Sequence, residues 1–198
     1  MTYANITGWG KCLPPAVLSN EDLATFLDTD DEWITSRTGM KERRISHVPV
    51  SELAHVACER ALAAAGKTAA DVELIVFGST TFDELCPNAA SNVQRLLGAS
   101  NAACMDVNTA CTSGMYSLTV ATSMIRSGVV GSALVIGAEV ISQIMDWQNR
   151  DVAVLFGDGA GAVILEAQNA AENPEGRGII GVDMQSDGST FDILHADG

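Results

Sequence analysis

Cys111 lies in Asn108-Thr109-Ala110-Cys111-Thr112-Ser113-Gly114, where a strand-like run from Ala102 to Val107 gives way to a long apolar helix. A thiol at a helix N-terminus sits at the positive end of the helix dipole, beside backbone N–H groups with no intrahelical partner. Both effects favour the thiolate, which is the nucleophilic form. The placement suits nucleophilic catalysis, although cysteine is also a common small buried hydrophobe. The other cysteines (Cys12, Cys58, Cys86, Cys104) show no C-x-x-C spacing and bring the total to an odd five. That pattern argues against a disulfide framework or a zinc site and for a reducing cytoplasm. A second group of reactive character is the basic cluster Arg37, Lys41, Arg43 and Arg44. It stands in a chain with 11 Lys+Arg against 25 Asp+Glu, a net charge of −14. Such a chain repels nucleic acid and anionic membranes, so an anionic ligand would have to be met by a local cluster of this kind. Without a ligand the cluster reads as a solvated face. Gly157-Asp158-Gly159-Ala160-Gly161 lacks the spacing of a phosphate-binding loop and reads as a turn.

The elements that must position these groups follow from periodicity and punctuation. Strands are expected at Ile6–Gly10, Leu74–Phe77, Ala103–Val107 and Ala133–Ile136, with a further one over Ile179–Met184. Val152–Phe156 and Ala160–Glu166 read as a strand pair around the Gly157-Asp158-Gly159 turn. Helices are expected from Ser19 or Asn20 to Leu27, from Asp30 to Gly39, from Ser51 to Gly66, from Asn88 to Leu97 and from Cys111 to Ile125. Alternation of strand and helix predicts α/β layers with a largely parallel central sheet. In the last helix Met115, Tyr116, Leu118, Val120, Ala121, Met124 and Ile125 place apolar groups almost all the way round, which predicts burial on every side. Cys111 would then stand at the end of an internal tunnel. The 198 residues suffice for one core or a tightly joined pair of units. The N-terminus lacks a signal-peptide pattern, and Val129–Ala138 is too short to span a bilayer, so a cytoplasmic protein is expected.

Three segments together carry a resemblance. Asp28-Thr29-Asp30-Asp31-Glu32-Trp33-Ile34-Thr35-Ser36-Arg37-Thr38-Gly39-Met40-Lys41-Glu42-Arg43-Arg44 is similar to the N-terminal signature of β-ketoacyl-acyl-carrier-protein synthase III, in the thiolase superfamily. Asp106 to Gly114 resembles that family's nucleophile segment, and Phe156-Gly157-Asp158-Gly159-Ala160-Gly161-Ala162 its glycine-rich turn. Order and spacing agree along nearly the whole chain. The resemblance implies the layered αβαβα thiolase-like fold, of which residues 1–198 form one of two homologous halves. It implies that Cys111 is acylated by an acyl-CoA and then attacked by the carbanion of decarboxylated malonyl-acyl carrier protein, with the Cys111 N–H serving the oxyanion. No metal or cofactor beyond acyl-CoA as substrate is implied. Trp33 and Arg150 match positions that sandwich the CoA adenine, and Thr29 and Arg37 match positions near the nucleotide and its phosphates. Leu155 and Phe156 are expected to line the acyl pocket. A homodimer is expected.

Two departures follow. Cys86, in Asp83-Glu84-Leu85-Cys86-Pro87, stands where well-known members carry a phenylalanine that reaches across the dimer to cap the partner's acyl pocket. A smaller side chain there predicts a deeper pocket and a medium-chain primer, since each buried methylene contributes about 0.8 kcal/mol. The family's histidine and asparagine, which polarise the malonyl thioester, belong to a second half, and His47, His55 and His195 match neither. We therefore expect a truncated chain that self-acylates without completing condensation. Two other roles are open to the same residues. One is a thiolase-fold acyltransferase of specialised metabolism with another acceptor. The other is a non-catalytic half that serves a second polypeptide as scaffold.

Overall fold

Leu74–Gly78 is apolar and buried at every position, as a strand covered on both faces must be. A computed structural model describes residues 2–193 and places this strand inside a five-stranded sheet. In chain order the elements are β1 (Thr2–Cys12), β2 (Ala16–Ser19), α1 (Asn20–Ala24), α2 (Asp31–Thr38), β3 (Glu42–Ile45), α3 (Val50–Ala65) and β4 (Leu74–Gly78). Then come α4 (Ala89–Leu97), β5 (Ala103–Val107), α5 (Ser113–Arg126), β6 (Ser132–Glu139), α6 (Arg150–Ala153) and β7 (Gly159–Asn169). Successive β4 side chains face opposite layers. Ile75 and Phe77 join α3 and α4 through Leu53, Ala57, Ala61 and Val93, whereas Leu74 and Val76 meet Ala121 and Ile125 of α5. The arrangement is a mixed α/β sheet with helices on both faces.

The sheet order is β1-β7-β6-β4-β5. β4 runs parallel to β5 and β6, but β7 runs antiparallel to both β6 and β1, so the largely parallel sheet expected from alternation is mixed. A parallel return would need a helix laid across the sheet. The connection over residues 140–158 instead builds α6 and its flanking turns beside α1 and α2, and the chain comes back antiparallel. Val152–Phe156 is accordingly not a strand. The Asn149 side chain accepts the Asp151 N–H and starts the single turn of α6, and the apolar run continues from that turn as irregular chain. Short apolar runs of this length suit helix or strand equally, and here the cap decides. Ile179–Met184 is not a strand either. Ile179 N–H donates to the Ala4 carbonyl (3.0 Å), while Ile180, Val182 and Met184 project outward, exposed.

Helix α5 begins at Ser113, two residues after Cys111, and is not enclosed on every side. Its buried stripe is Ser117, Ala121, Thr122 and Ile125, whereas Met115 is 65% exposed. Away from that stripe Thr119 is also buried, and the Tyr116 hydroxyl reaches the Gln185 carbonyl (3.3 Å).

Three helix starts rest on aspartates held below the ordinary 3.8. Backbone and side-chain bonds from Ser19 lower Asp22, bonds from Thr68 lower Asp71, and Lys41 followed by Asn20 lowers Asp31. Groups depressed in the folded state stabilise it above their unfolded value and lose that contribution as pH falls through the folded value. Tm should therefore decline as pH drops below about 4. In the Asp22→Asn, Asp71→Asn double variant that limb should be shallower, which a set of thermal melts against pH would show.

Candidate active site

The turn from β5 into α5 carries Cys111 to the surface. Ala110 has φ 51°, the only left-handed non-glycine among the described residues. Such a conformation persists only where neighbouring groups hold it. They do so here through the Ser113 hydroxyl, which donates to the Ala110 carbonyl (2.6 Å) and accepts the Thr109 N–H (2.9 Å). The Thr112 hydroxyl donates to the Thr109 carbonyl (2.8 Å). Bonds closing the turn engage the N–H groups of Thr109, Ala110, Thr112 and Ser113, and that of Cys111 has no partner among the described residues.

The turn can sit this low because Gly78, at the end of β4, has no side chain. A Cβ there would lie 2.6 Å from the Ser113 carbonyl carbon and 2.8 Å from the Gly114 nitrogen. The first turn of α5 therefore rests directly on the backbone at the carboxyl ends of the parallel strands, where α/β sheets place their ligands. The Cys111 thiol is exposed rather than at the end of an enclosed tunnel, because the outward side of α5 is open among the described residues. An exposed thiol at a helix start can attack a thioester carbonyl, and a spare N–H beside it can receive the oxyanion.

A second locus forms around Trp33. Asp30 caps α2 by accepting the Trp33 N–H (2.7 Å), and Gly39 ends the helix in the left-handed conformation. Trp33 is half-buried against the cluster of Leu23, Ile34, Ala153 and Val154. The Arg37 Cζ lies 4.3 Å and the Arg150 Cζ 4.6 Å from the indole centroid. Arg37 is one helical turn from Trp33, while Arg150 arrives from α6 and donates to the Asp28 carbonyl (2.8 Å). Both are cation–π contacts. The Trp33–Arg150 gap is closed: a base stacked between them needs roughly 7 Å, so adenine entry would require Arg150 to move. Thr29, in the same segment, has a buried hydroxyl with no partner among the described residues, an acceptor and donor that a polar ligand atom could satisfy.

The basic cluster of the sequence does not form a patch. Lys41 pairs with Asp31 (2.7 Å) and Arg44 with Glu42 (3.0 Å). Arg43 is buried, donating to the carbonyls of Leu18 (3.1 Å) and Val154 (3.3 Å) and to Asn20 Oδ1 (2.9 Å), and burial pushes its pKa down. It ties the β2–β3 hairpin to α6. Of the four, Arg37 and Arg43 have no carboxylate partner among the described residues, and of these two only Arg37 is exposed.

The remaining candidates are scattered. Leu155 is exposed and Phe156 half-buried, just after α6. Cys86 is exposed on the loop between β4 and α4, next to a fully exposed Leu85. A cavity of about 280 Å³ beside that loop is lined by Asp83, Glu84, Asn88, Ser91 and Arg95, and not by Cys111. His47 follows β3, His55 lies 3.7 Å from Glu59 on α3, and His195 lies outside the described residues. Among the described residues no three His, Cys, Asp or Glu side chains gather as a metal site, and no helix is long and apolar enough to cross a membrane.

Two supporting residues escaped the sequence reading. Asp158 is buried and accepts the Ser46 N–H (2.6 Å), the Ser142 N–H (2.9 Å) and the Ser142 hydroxyl (2.6 Å). It pins together the segments after β3 and β6. Asp106 accepts the N–H groups of Ala89 (2.8 Å) and Ala90 (2.9 Å), holding the start of α4 to the strand that leads to Cys111. Burial raises its pKa against the lowering effect of those two bonds. The aspartate before a strand end and the Gly-Asp-Gly turn were the available signals.

Comparison with known proteins is consistent along the chain. Residues 105–188 match the family model for 3-oxoacyl-[acyl-carrier-protein (ACP)] synthase III. A beta-ketoacyl-[acyl-carrier-protein] synthase III 2 of Vibrio vulnificus is 52% identical over 202 residues, covering 98% of this chain and 56% of the relative. A beta-ketoacyl-[acyl-carrier-protein] synthase III of Caulobacter vibrioides is 46% identical over 195 residues, covering 98% and 61%. The crystal structure of 3-oxoacyl-(acyl carrier protein) synthase III from Pseudomonas aeruginosa superposes with a TM-score of 0.92 at 39% identity, covering 99% of this chain and 61% of that one. The chain thus spans a little over half the length of the relatives it matches.

Proposed function

Because the chain belongs to the 3-oxoacyl-[acyl-carrier-protein] synthase III family, we propose that it carries the acyl-accepting site of a condensing acyltransferase of fatty-acid synthesis. The observation that carries this reading is the exposed Cys111 at a left-handed elbow, with its own N–H unpartnered among the described residues. The Cys111 thiolate attacks the thioester carbonyl of acyl-CoA, forming a C–S bond and a tetrahedral oxyanion beside the Cys111 N–H. Collapse breaks the bond to the CoA sulfur, which leaves as thiolate and takes a proton from solvent. In the second step malonyl-acyl carrier protein loses CO₂, and its carbanion forms a C–C bond to the acyl carbonyl and releases the Cys111 thiolate. The resemblance assigns polarisation of that second thioester to a histidine and an asparagine of a second half, so condensation draws on residues beyond those described here.

Trp33, Arg37, Arg150 and Thr29 would hold the CoA nucleotide, with Arg150 moving off the indole to admit the base. Cys86, Leu155 and Phe156 would shape the acyl site, Cys86 from the partner in a homodimer, with room for a medium-chain primer. A cytoplasmic setting fits the five free cysteines. In the Trp33→Ala variant the KM for acyl-CoA should rise about tenfold, because a stacked base contributes on the order of 1–3 kcal/mol. The rate at saturation should hold, and so should the KM for the acyl-phosphopantetheine thioester, which lacks the nucleotide. Equal losses with both thioesters would contradict the assignment.

A further inference from the structure

Resting on the reading of Cys111 as the acylated residue, we propose that Ser113 is the positioning residue that aims the Cys111 N–H at the developing oxyanion. The peptide joining Ala110 to Cys111 is planar and trans, so the direction of its carbonyl fixes the opposite direction of its N–H. Ser113 grips that carbonyl twice, through its hydroxyl (2.6 Å) and through its backbone N–H (3.0 Å). The same hydroxyl accepts the Thr109 N–H (2.9 Å), which ties down the Asn108–Thr109 peptide just ahead of the left-handed Ala110. Ser113 is itself immobile: it is 2% exposed, and its carbonyl group lies against Gly78 where a Cβ would sit 2.6–2.7 Å away. With the carbonyl drawn toward the helix, the Cys111 N–H points away from it. Two donors on one carbonyl also polarise the shared amide and make its N–H a stronger donor.

Two reactions of the same sulfur separate this role from simple support. Acylation by acyl-CoA passes through an oxyanion, whereas alkylation by iodoacetamide displaces iodide and forms none. Removing an oxyanion donor outright slows reactions by about 10²–10³-fold, and a misaimed donor should cost less. The expectation for Ser113→Ala is therefore an acylation rate about 10- to 100-fold lower at saturating acyl-CoA, with KM little changed. The iodoacetamide rate at Cys111 should stay within about threefold of the parent, as should acylation in Ser113→Thr, which keeps the hydroxyl. Unchanged acylation in Ser113→Ala, or a parallel fall in both reactions, would overturn the inference and leave the role of Cys111 intact. Failure of the unsubstituted chain to acylate while it alkylates normally would overturn the parent reading, and this one with it.

Discussion

Cys111→Ser should yield a folded protein that no longer takes an acyl group from acyl-CoA. The sulfur is exposed and makes no hydrogen bond that closes the turn, so its replacement removes no packing. Surface changes of this kind stay within about 0.5 kcal/mol, and Tm should hold to within a degree or two. Reactivity is another matter. A thiol is intrinsically a strong nucleophile, whereas an alcohol needs an adjacent base to become one. The elbow supplies the Thr109, Thr112 and Ser113 hydroxyls and backbone groups, but no imidazole or carboxylate touches the turn among the described residues. Loss of a nucleophile without a substitute costs at least about a thousandfold. Single-turnover acylation, read by intact mass, is the check. A serine variant that acylated within tenfold of the parent would mean that another group accepts the acyl chain.

Asp158→Ala is expected to have the largest effect on stability. Its carboxylate satisfies two backbone N–H groups and one hydroxyl on two separate segments, one after β3 and one after β6. Bonds to charged groups contribute roughly 1.5–3 kcal/mol, and orphaned buried donors add their own desolvation penalty. A loss of about 3 kcal/mol is the central expectation, which for a chain of this size lowers Tm by roughly 6–12 °C. Asp158→Asn should fall between, because one oxygen still accepts while the new amide faces donors. Acylation of the molecules that remain folded should be nearly unchanged, since Asp158 acts on the frame. A Tm within two degrees of the parent would show that the Ser46 and Ser142 donors find water at no cost.

How far these residues were legible in the sequence depends on the range of the forces that place them. Cys111 at a strand-to-helix turn could be read from local punctuation, and the structure puts it there, two residues before α5. The left-handed Ala110 could not, because nothing in an alanine announces positive φ; only the Ser113 clamp imposes it. Ser113, Ser117 and Thr122 were passed over when the apolar residues of the helix were counted, yet they are among its buried positions. Arg37 lies one helical turn from Trp33, but the proximity of Arg150 came from resemblance alone, since periodicity says nothing of residues so distant in sequence. Their contact is a matter of how α6 packs on α2. The basic cluster failed for the converse reason: neighbours in sequence alternate sides of β3, one buried and others paired with acids. β4, β5 and β6 were read correctly and run parallel as expected, whereas the antiparallel direction of β7 was not legible, because the 140–158 connection could cross the sheet or turn back.

The central claim is that Cys111 takes the acyl group, and the direct measurement is an adduct map. The purified chain would be incubated with acetyl-CoA or octanoyl-CoA, then digested and its peptides weighed. The account predicts one acyl group per chain, on the peptide containing Cys111, released by hydroxylamine as a thioester is. An unmodified Cys111 peptide, or the acyl group on Cys86 or Cys12 instead, would contradict it.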